Sequence, residues 1–167
     1  LQPLGFHYAP DPSSQQICPL GGNVANNSGG PHCLADGVTD THVLAMEVVL
    51  PDGDVALFGG LDAEPEGLDL RGAFIGSEGT LGITTKIAVR LTPNPDDVQT
   101  ILISFPSMRK AAETVSAIIA DGIVPAAMEA MDQKTIEVIE QHIPAGYPTN
   151  AGAVLLVEVE GLADGVE

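Results

Sequence analysis

Two runs of nearly bare backbone carry the residue types best suited to holding a ligand: Gly21-Gly22-Asn23-Val24-Ala25-Asn26-Asn27-Ser28-Gly29-Gly30 and, later in the chain, Gly76-Ser77-Glu78-Gly79-Thr80-Leu81-Gly82. Glycine lowers helix or strand stability by roughly 0.5–1 kcal/mol relative to alanine, so a chain keeps it where backbone must turn sharply or lie against something. Backbone N–H groups left uncovered by side chains bind anions and flat polar molecules closely, without lysine or arginine. Two such runs predict one extended ligand. The competing reading is that both are turns of a chain with 19 glycines in 167 residues. Glu78, set between glycines, reads either as an acceptor for ligand hydroxyls or as a cap on neighbouring amides.

Other chemistries fit poorly. Ser77 lies in Gly76-Ser77-Glu78-Gly79 rather than in a G-x-S-x-G nucleophile elbow, and reads as a turn residue. No Gly-Lys-Ser/Thr follows either run, and Gly76, Gly79 and Gly82 are spaced by threes, so neither a P-loop nor a G-x-G-x-x-G loop is present. His7, His32, His42 and His142 are scattered without ligand spacing, which argues against a zinc or iron site. His32, leaving the first run in Gly30-Pro31-His32-Cys33, reads as a loop histidine.

Composition sets the class. Hydrophobic residues make up 44% of the chain, enough for a real core in one domain or two small ones. No apolar run reaches the ~18 residues of a membrane span. The start, Leu1-Gln2-Pro3-Leu4-Gly5, lacks an initiator methionine and a signal-peptide layout, and reads as the interior of a longer protein. Six basic against 23 acidic residues give a net charge of −17, which repels nucleic acid and anionic membranes. The acid is scattered apart from Asp62-Ala63-Glu64-Pro65-Glu66, expected to be a surface loop. Cys18 and Cys33 match neither a disulfide scaffold nor a metal pair, and read as free thiols of a reducing compartment.

The elements that must position the two runs follow from period and punctuation. Pro10, Pro12 and Pro19 predict an irregular segment over residues 8–20, and residues 23–28 read as one short helical turn flanked by glycines. Leu44, Met46, Val48 and Leu50 share a face of a strand, Pro51-Asp52-Gly53 turns the chain and residues 54–58 return, a β-hairpin. Leu68, Leu70, Ala73 and Phe74 fit a short helix leading into the second run. Ile83, Thr85, Ile87, Val89 and Leu91 alternate with polar or small residues and predict a strand with one apolar face. Pro93-Asn94-Pro95-Asp96-Asp97 then interrupts regular structure, dividing the chain into domains 1–93 and 98–167.

Past this boundary the rhythm is strand 98–105, helix 107–121, strand 124–131, helix 132–142 and strand 153–160, a β-α-β-α-β unit. Ala111, Val115, Ile118, Ile119 and Gly122 form the inward stripe of its first helix, and Ile136, Ile139 and Ile143 that of its second, with Asp132 as N-cap. The last strand runs into Glu158, Glu160, Asp164 and Glu167 with no closing element.

Four motifs in order carry a resemblance. Ala9-Pro10-Asp11-Pro12-Ser13-Ser14, the first glycine run continued by Pro31-His32-Cys33, Val43-Leu44-Ala45-Met46-Glu47-Val48-Val49-Leu50-Pro51-Asp52-Gly53, and Phe74-Ile75 leading the second run into Ile83 resemble the FAD-linked oxidases of the vanillyl-alcohol oxidase fold. The similarity is greatest to glycolate oxidase D subunits and D-lactate dehydrogenases. Ile123-Val124-Pro125-Ala126-Ala127-Met128-Glu129 and Met131-Asp132 resemble the start of that family's cap domain.

The resemblance implies an α+β fold. Residues 1–93 would be the second half of a PCMH-type FAD-binding domain, mostly antiparallel sheet with short helices. Residues 98–167 would open a ferredoxin-like cap on the substrate side. It implies FAD as cofactor, with Gly21, Gly22, Asn23, Asn26, Ser28, Gly29 and Gly30 along the pyrophosphate and flavin, and with Gly37, Val38, Glu78, Gly79, Gly82 and Ile83 flanking the rest. It implies oxidation of a 2-hydroxy acid of the glycolate or D-lactate type by hydride transfer to flavin. A homo-oligomer or electron-acceptor subunits are the implied partners, in the cytoplasm or held at the inner membrane by those subunits.

Three departures bear on this. The family's early phosphate-binding loop, and the distal cap with its catalytic histidine and metal ligands, are not among these residues, so no catalytic residue is assigned and this stretch alone is expected to be inactive. Ala35-Asp36-Gly37 stands where relatives carry a basic residue and a tyrosine before the glycine. His32 suggests covalent flavin attachment, but the close relatives hold FAD without it. The alternative function is a non-catalytic, acidic assembly or electron-transfer module, motivated by Ala35-Asp36 and the charge of −17.

Overall fold

Pro10, Pro12 and Pro19 keep the segment between strand β1 (Phe6–His7) and helix α1 (Leu20–Asn26) out of regular structure, because proline lacks the N–H that a helix or ladder needs. The computed structural model describes residues 1–61 and 66–161, in two compact units, Leu1–Asn94 and Pro95–Glu167. The acidic loop expected at Asp62-Ala63-Glu64-Pro65 and the acidic end of the chain beyond residue 161 lie outside the described residues. The fold is α+β, with antiparallel sheets and short helices.

In the first unit, two single helical turns that the sequence pattern does not announce, α2 (Cys33–Asp36) and α3 (Thr39–His42), lead into β2 (Val43–Val49). The expected hairpin forms with β3 (Val55–Gly59). Its turn is closed by Leu50 N–H to the Asp54 carbonyl at 2.8 Å and turned by Gly53 at φ 92°. The expected short helix forms as α4 (Leu70–Phe74), capped by Asp69, which accepts the Gly72 N–H at 2.9 Å; Leu68, 88% exposed, lies ahead of it. Strand β4 (Ile83–Val89) joins β2 on its other side, giving the order β3-β2-β4, and β5 (Thr92–Pro93) pairs with β1.

The single apolar face expected of β4 is broken. Met46 faces Ile87 but Val48 faces Thr84, a register shift between Glu47 and Val48. Such a bulge reverses the side-chain phase. Ile87 therefore packs on the core while Ile83 is 68% exposed. A second shift, between Val43 and Ala45, lets Val43 and Met46 both be buried although three residues apart. The core joins Val24, Val43, Met46, Val48, Phe74 and Ile75, with Leu50, Phe58 and Ile87 against it.

The second unit has the expected order: β6 (Asp97–Phe105), α5 (Met108–Ala120), β7 (Ala127–Asp132), α6 (Gln133–His142) and β8 (Ala153–Gly161). Strand β8 lies between β6 and β7, antiparallel to both. Ser107 caps α5 and Asp132 caps α6, the latter accepting the Thr135 N–H at 2.8 Å. Ala111 and Ile136 are buried as the helical stripes require, but Ile119, 39% exposed, and the exposed Gly122 fall outside the expected stripe of α5. Two boundaries differ from expectation. Strand β7 starts only at Ala127, after Pro125, leaving Ile123 and Val124 exposed. Ile143 follows α6 as its C-cap residue and is 71% exposed, so it leaves the inward stripe.

Candidate functional site

The first glycine run is held at its centre. The helical turn expected over residues 23–28 begins earlier, so Gly21 and Gly22 lie inside α1 rather than on open loop. Pro19, just ahead, offers its carbonyl to the Gly22 and Asn23 N–H groups at 2.9 and 3.3 Å. Glycines weaken so short a helix; Val24, 1% exposed, anchors it in the core. Asn27 ends it in the left-handed conformation, φ 47°, a position that asparagine tolerates better than most side chains.

The two runs meet backbone to backbone. The last turn of a helix leaves carbonyls without intrahelical partners. Here the Val24 and Ala25 carbonyls accept the N–H groups of Gly76 and Glu78, each at 2.8 Å. Phe74 and Ile75, just before Gly76, enter the same core as Val24. Shared burial thus brings the runs together and the hydrogen bonds set their alignment. Gly76, Glu78 and Gly79 all take positive φ, at 82°, 53° and 76°.

The glycines divide by what surrounds them. A Cβ at Gly30 would overlap the Asp11 carbonyl, and one at Gly29 would lie 2.7 Å from the Val38 side chain. At Gly37, φ 82°, it would sit 2.7 Å from Thr41 Oγ1. At Gly82 it would press on the Val49 carbonyl of β2 at 2.6 Å. At Gly21 and Gly79 it would meet nothing within 4 Å. The first group is demanded by the fold; Gly21 is not, since it is helical and faces open space.

The other candidate residues spread over three segments. Asn23 is buried and accepts from Cys18 Sγ at 3.2 Å, while Asn26 turns its amide back to the Gly22 carbonyl at 3.0 Å. Ser28 offers its carbonyl to the Thr39 N–H and Oγ1 at 3.0 and 2.7 Å. Val38 packs on Gly29, which draws the 37–38 pair to the first run. Gly82 and Ile83 instead contact β2. Glu78 is exposed.

Sequence reasoning missed the residues behind this surface. Asp40 N–H donates to Asn27 Oδ1 at 2.9 Å, and Asn27 Nδ2 donates to Asp40 Oδ2 at 3.4 Å. His32 Nδ1–H donates to Asp11 Oδ2 at 2.6 Å, so His32 is tied back to the segment entering the run rather than being a simple loop residue. His42 and Thr39 are buried, and the His42 ring lies edge-on to Tyr8 with centroids 6.1 Å apart. Burial pushes the Tyr8 phenol above its ordinary value, a rise that the Thr39 hydroxyl partly opposes. The one available signal was Asn27 itself, since Asn before Ser-Gly-Gly is a helix-ending word.

What this surface offers a ligand is backbone. Among the described residues, the N–H groups of Gly29, Gly30 and Gly79 donate to no acceptor. The Asp40 Oδ1 and Ser77 Oγ atoms are buried without a partner. Buried polar atoms are ordinarily satisfied, so these mark where a polar ligand or ordered water belongs. The free donors and the open face at Gly21 fit a flat, polar, anionic cofactor, and the orphan acceptors fit its hydroxyl or N–H groups or ordered water.

Two family models match the chain: the FAD binding domain over residues 1–59 and the C-terminal domain of FAD linked oxidases over residues 94–166. The chain belongs to the FAD-linked oxidases. Within this family it is 46% identical over its whole length to the glycolate oxidase subunit GlcD of Escherichia coli K12, covering 34% of that protein. It is 48% identical to GlcD of Bacillus subtilis, covering 36% of it, and 34% identical to the D-lactate dehydrogenase of Anaerostipes hadrus, with 94% of this chain and 34% of that protein aligned. The chain therefore spans about a third of the length of these relatives. Among solved structures, an alkyldihydroxyacetonephosphate synthase shares the fold, with a TM-score of 0.82 at 20% identity over 98% of this chain and 32% of that one.

Proposed function

We propose that this chain forms part of the FAD cradle and the opening of the substrate-side domain of an FAD-dependent 2-hydroxy-acid oxidoreductase acting on glycolate, D-lactate or a similar acid. In this reading residues 1–93 are the second half of the FAD-binding domain and residues 98–167 begin the cap. The observation that carries it is the joined pair of glycine runs, with the unpartnered N–H groups of Gly29, Gly30 and Gly79 lying along them. The similarity to glycolate oxidase subunits and a D-lactate dehydrogenase supports the substrate class.

Bound FAD supplies a two-electron acceptor for the hydride of a substrate α-carbon. The protein's part is to hold and orient. The N–H groups of Gly29, Gly30 and Gly79 would donate to the cofactor, and fixed backbone donors of this kind favour negative charge without reorganising. Gly21, Gly22, Asn23, Asn26 and Ser28 line the first run, and Gly37, Val38, Gly82 and Ile83 complete the wall. The exposed Glu78 carboxylate would accept from ribose hydroxyls; no described contact uses it as a cap. Exposed Ile83 would offer a bound cofactor an apolar contact.

Electron-acceptor subunits are the proposed partners, since the relatives include subunits of glycolate oxidases. No described helix is long and apolar enough to cross a membrane, and a cytoplasmic location is part of the proposal. The test is to purify the whole protein and record its visible spectrum before and after adding glycolate or D-lactate under anaerobic conditions. A flavin band bleached by one of them is expected. A flavin-free protein, or a flavin that neither acid reduces, overturns the proposal and favours a non-catalytic module.

A further inference from the structure

Asn27 is not among the residues expected to touch a cofactor, yet it links the first glycine run to Asp40, just beyond Val38, and lies beside Gly76 of the second run. It ends α1 at φ 47°, with its own N–H on the Asn23 and Val24 carbonyls. Its side chain makes a two-point clasp to Asp40, 2.9 Å from the Asp40 N–H and 3.4 Å to Oδ2, thirteen residues ahead. Its Cβ lies 3.3 Å from where a Cβ at Gly76 would stand, a tight approach at a position whose φ of 82° already favours glycine. The neighbouring Ser28 carbonyl is doubly held by Thr39, which is fully buried. Candidate residues 21–30 carry this asparagine, 37–38 lead into its partner Asp40 and 78–79 follow Gly76 beside it, whereas Gly82 and Ile83 lie against β2.

We infer that Asn27, acting through Asp40, is the positioning residue of the cofactor cradle. The inference rests on the flavin reading above. An αL residue at a helix end is satisfied as well or better by glycine. Helix termination therefore does not explain an asparagine here; the clasp does. It fixes where the chain leaves α1, and so the direction in which the Gly29 and Gly30 N–H groups point. It also carries Val38 onto Gly29 and keeps Gly76 and Glu78 against the last turn of α1. A shift of a few tenths of an ångström at Asn27 would misalign donors contributed by separate segments at once.

The experiment compares the whole protein with the variants Asn27→Gly, Asn27→Asp and the double variant Asn27→Asp, Asp40→Asn, reading the FAD dissociation constant and the visible spectrum of bound flavin. Asn27→Gly keeps the αL backbone conformation and loses the clasp, together with the Cβ beside Gly76. Its FAD dissociation constant should rise about tenfold or more, corresponding to about 1.4 kcal/mol. Its apo-protein should melt within ~4 °C of the wild type, roughly the effect of one lost hydrogen bond. Asn27→Asp sets two carboxylates against each other and should bind FAD more weakly still. The double variant reverses donor and acceptor in the pair and should recover most of the affinity and the wild-type band shape. That recovery is a readout that general loss of stability would not produce, and it stands even if the glycine variant proves unstable. Wild-type protein that binds no FAD overturns the flavin reading and this role with it. Wild-type protein that binds FAD, with Asn27→Gly within about twofold of it or with no rescue in the double variant, overturns the positioning role alone.

Discussion

Glu78 holds a side chain where its neighbours Gly76 and Gly79 have none, at φ 53° on the surface. The left-handed conformation costs a residue with a Cβ roughly 1–2 kcal/mol, and only its backbone N–H, on the Ala25 carbonyl, is used by the fold. Retaining glutamate there points to a task for its carboxylate. Replacing Glu78 by glycine should therefore raise the apo-protein melting temperature by ~2–4 °C while weakening FAD binding. Thermal melts with and without FAD check both halves; a variant that gains stability and binds FAD as tightly would reduce Glu78 to a turn residue. Little of this was legible beforehand. The sequence offered the glutamate between glycines, but its backbone angle and its unused carboxylate depend on the helix packed beneath it.

At the scale of elements, α1 and its flanking loop separate glycines required by packing from glycines required by a ligand. Ala at position 30 would collide with Asp11 backbone, and overpacking of this kind destabilises by ~1–3 kcal/mol. Gly21→Ala places a methyl in open space on a helix and should stabilise by ~0.5–1 kcal/mol, while lowering FAD affinity if the cofactor crosses that face. Urea unfolding of the two variants should move in opposite directions. In the second unit the cap of α6 offers a pH test. The hydrogen bond from the Thr135 backbone, then its side chain, holds the Asp132 carboxyl below its ordinary value of 3.8. A carboxyl depressed on folding contributes stability that is present above its unfolded value and lost as pH falls through the folded one. Asp132→Asn keeps a capping oxygen. It should match the wild type near neutral pH and lose stability less steeply as pH drops below about 4, measured by denaturant midpoints. The cap at Asp132 and the strand alternations were readable because they depend on nearest neighbours. The bulge in β4 was not, since it is set by the register against β2.

Across the whole molecule, the charge of −17 is spread over a chain with six basic residues. Such self-repulsion opposes the compact state. Raising salt from ~0.1 to ~1 M shortens the screening length from about 10 to about 3 Å, so the melting temperature should rise with sodium chloride; a flat or falling response would show that the acid is locally compensated. At this scale the sequence by itself determined the class of the protein and the order of its elements. Hydrophobic period, proline punctuation and ordered motifs are local properties, and they sufficed for the α+β class, the hairpin, the β-α-β-α-β rhythm and the family. Only the tertiary structure decided how the glycine runs work. Val24, Phe74 and Ile75 share one core, so two segments far apart in sequence hydrogen-bond to each other, and Asn27 and Asp40 clasp across a third. Burial and long-range hydrogen bonding depend on which surfaces meet, and no reading of spacing along the chain contains that information.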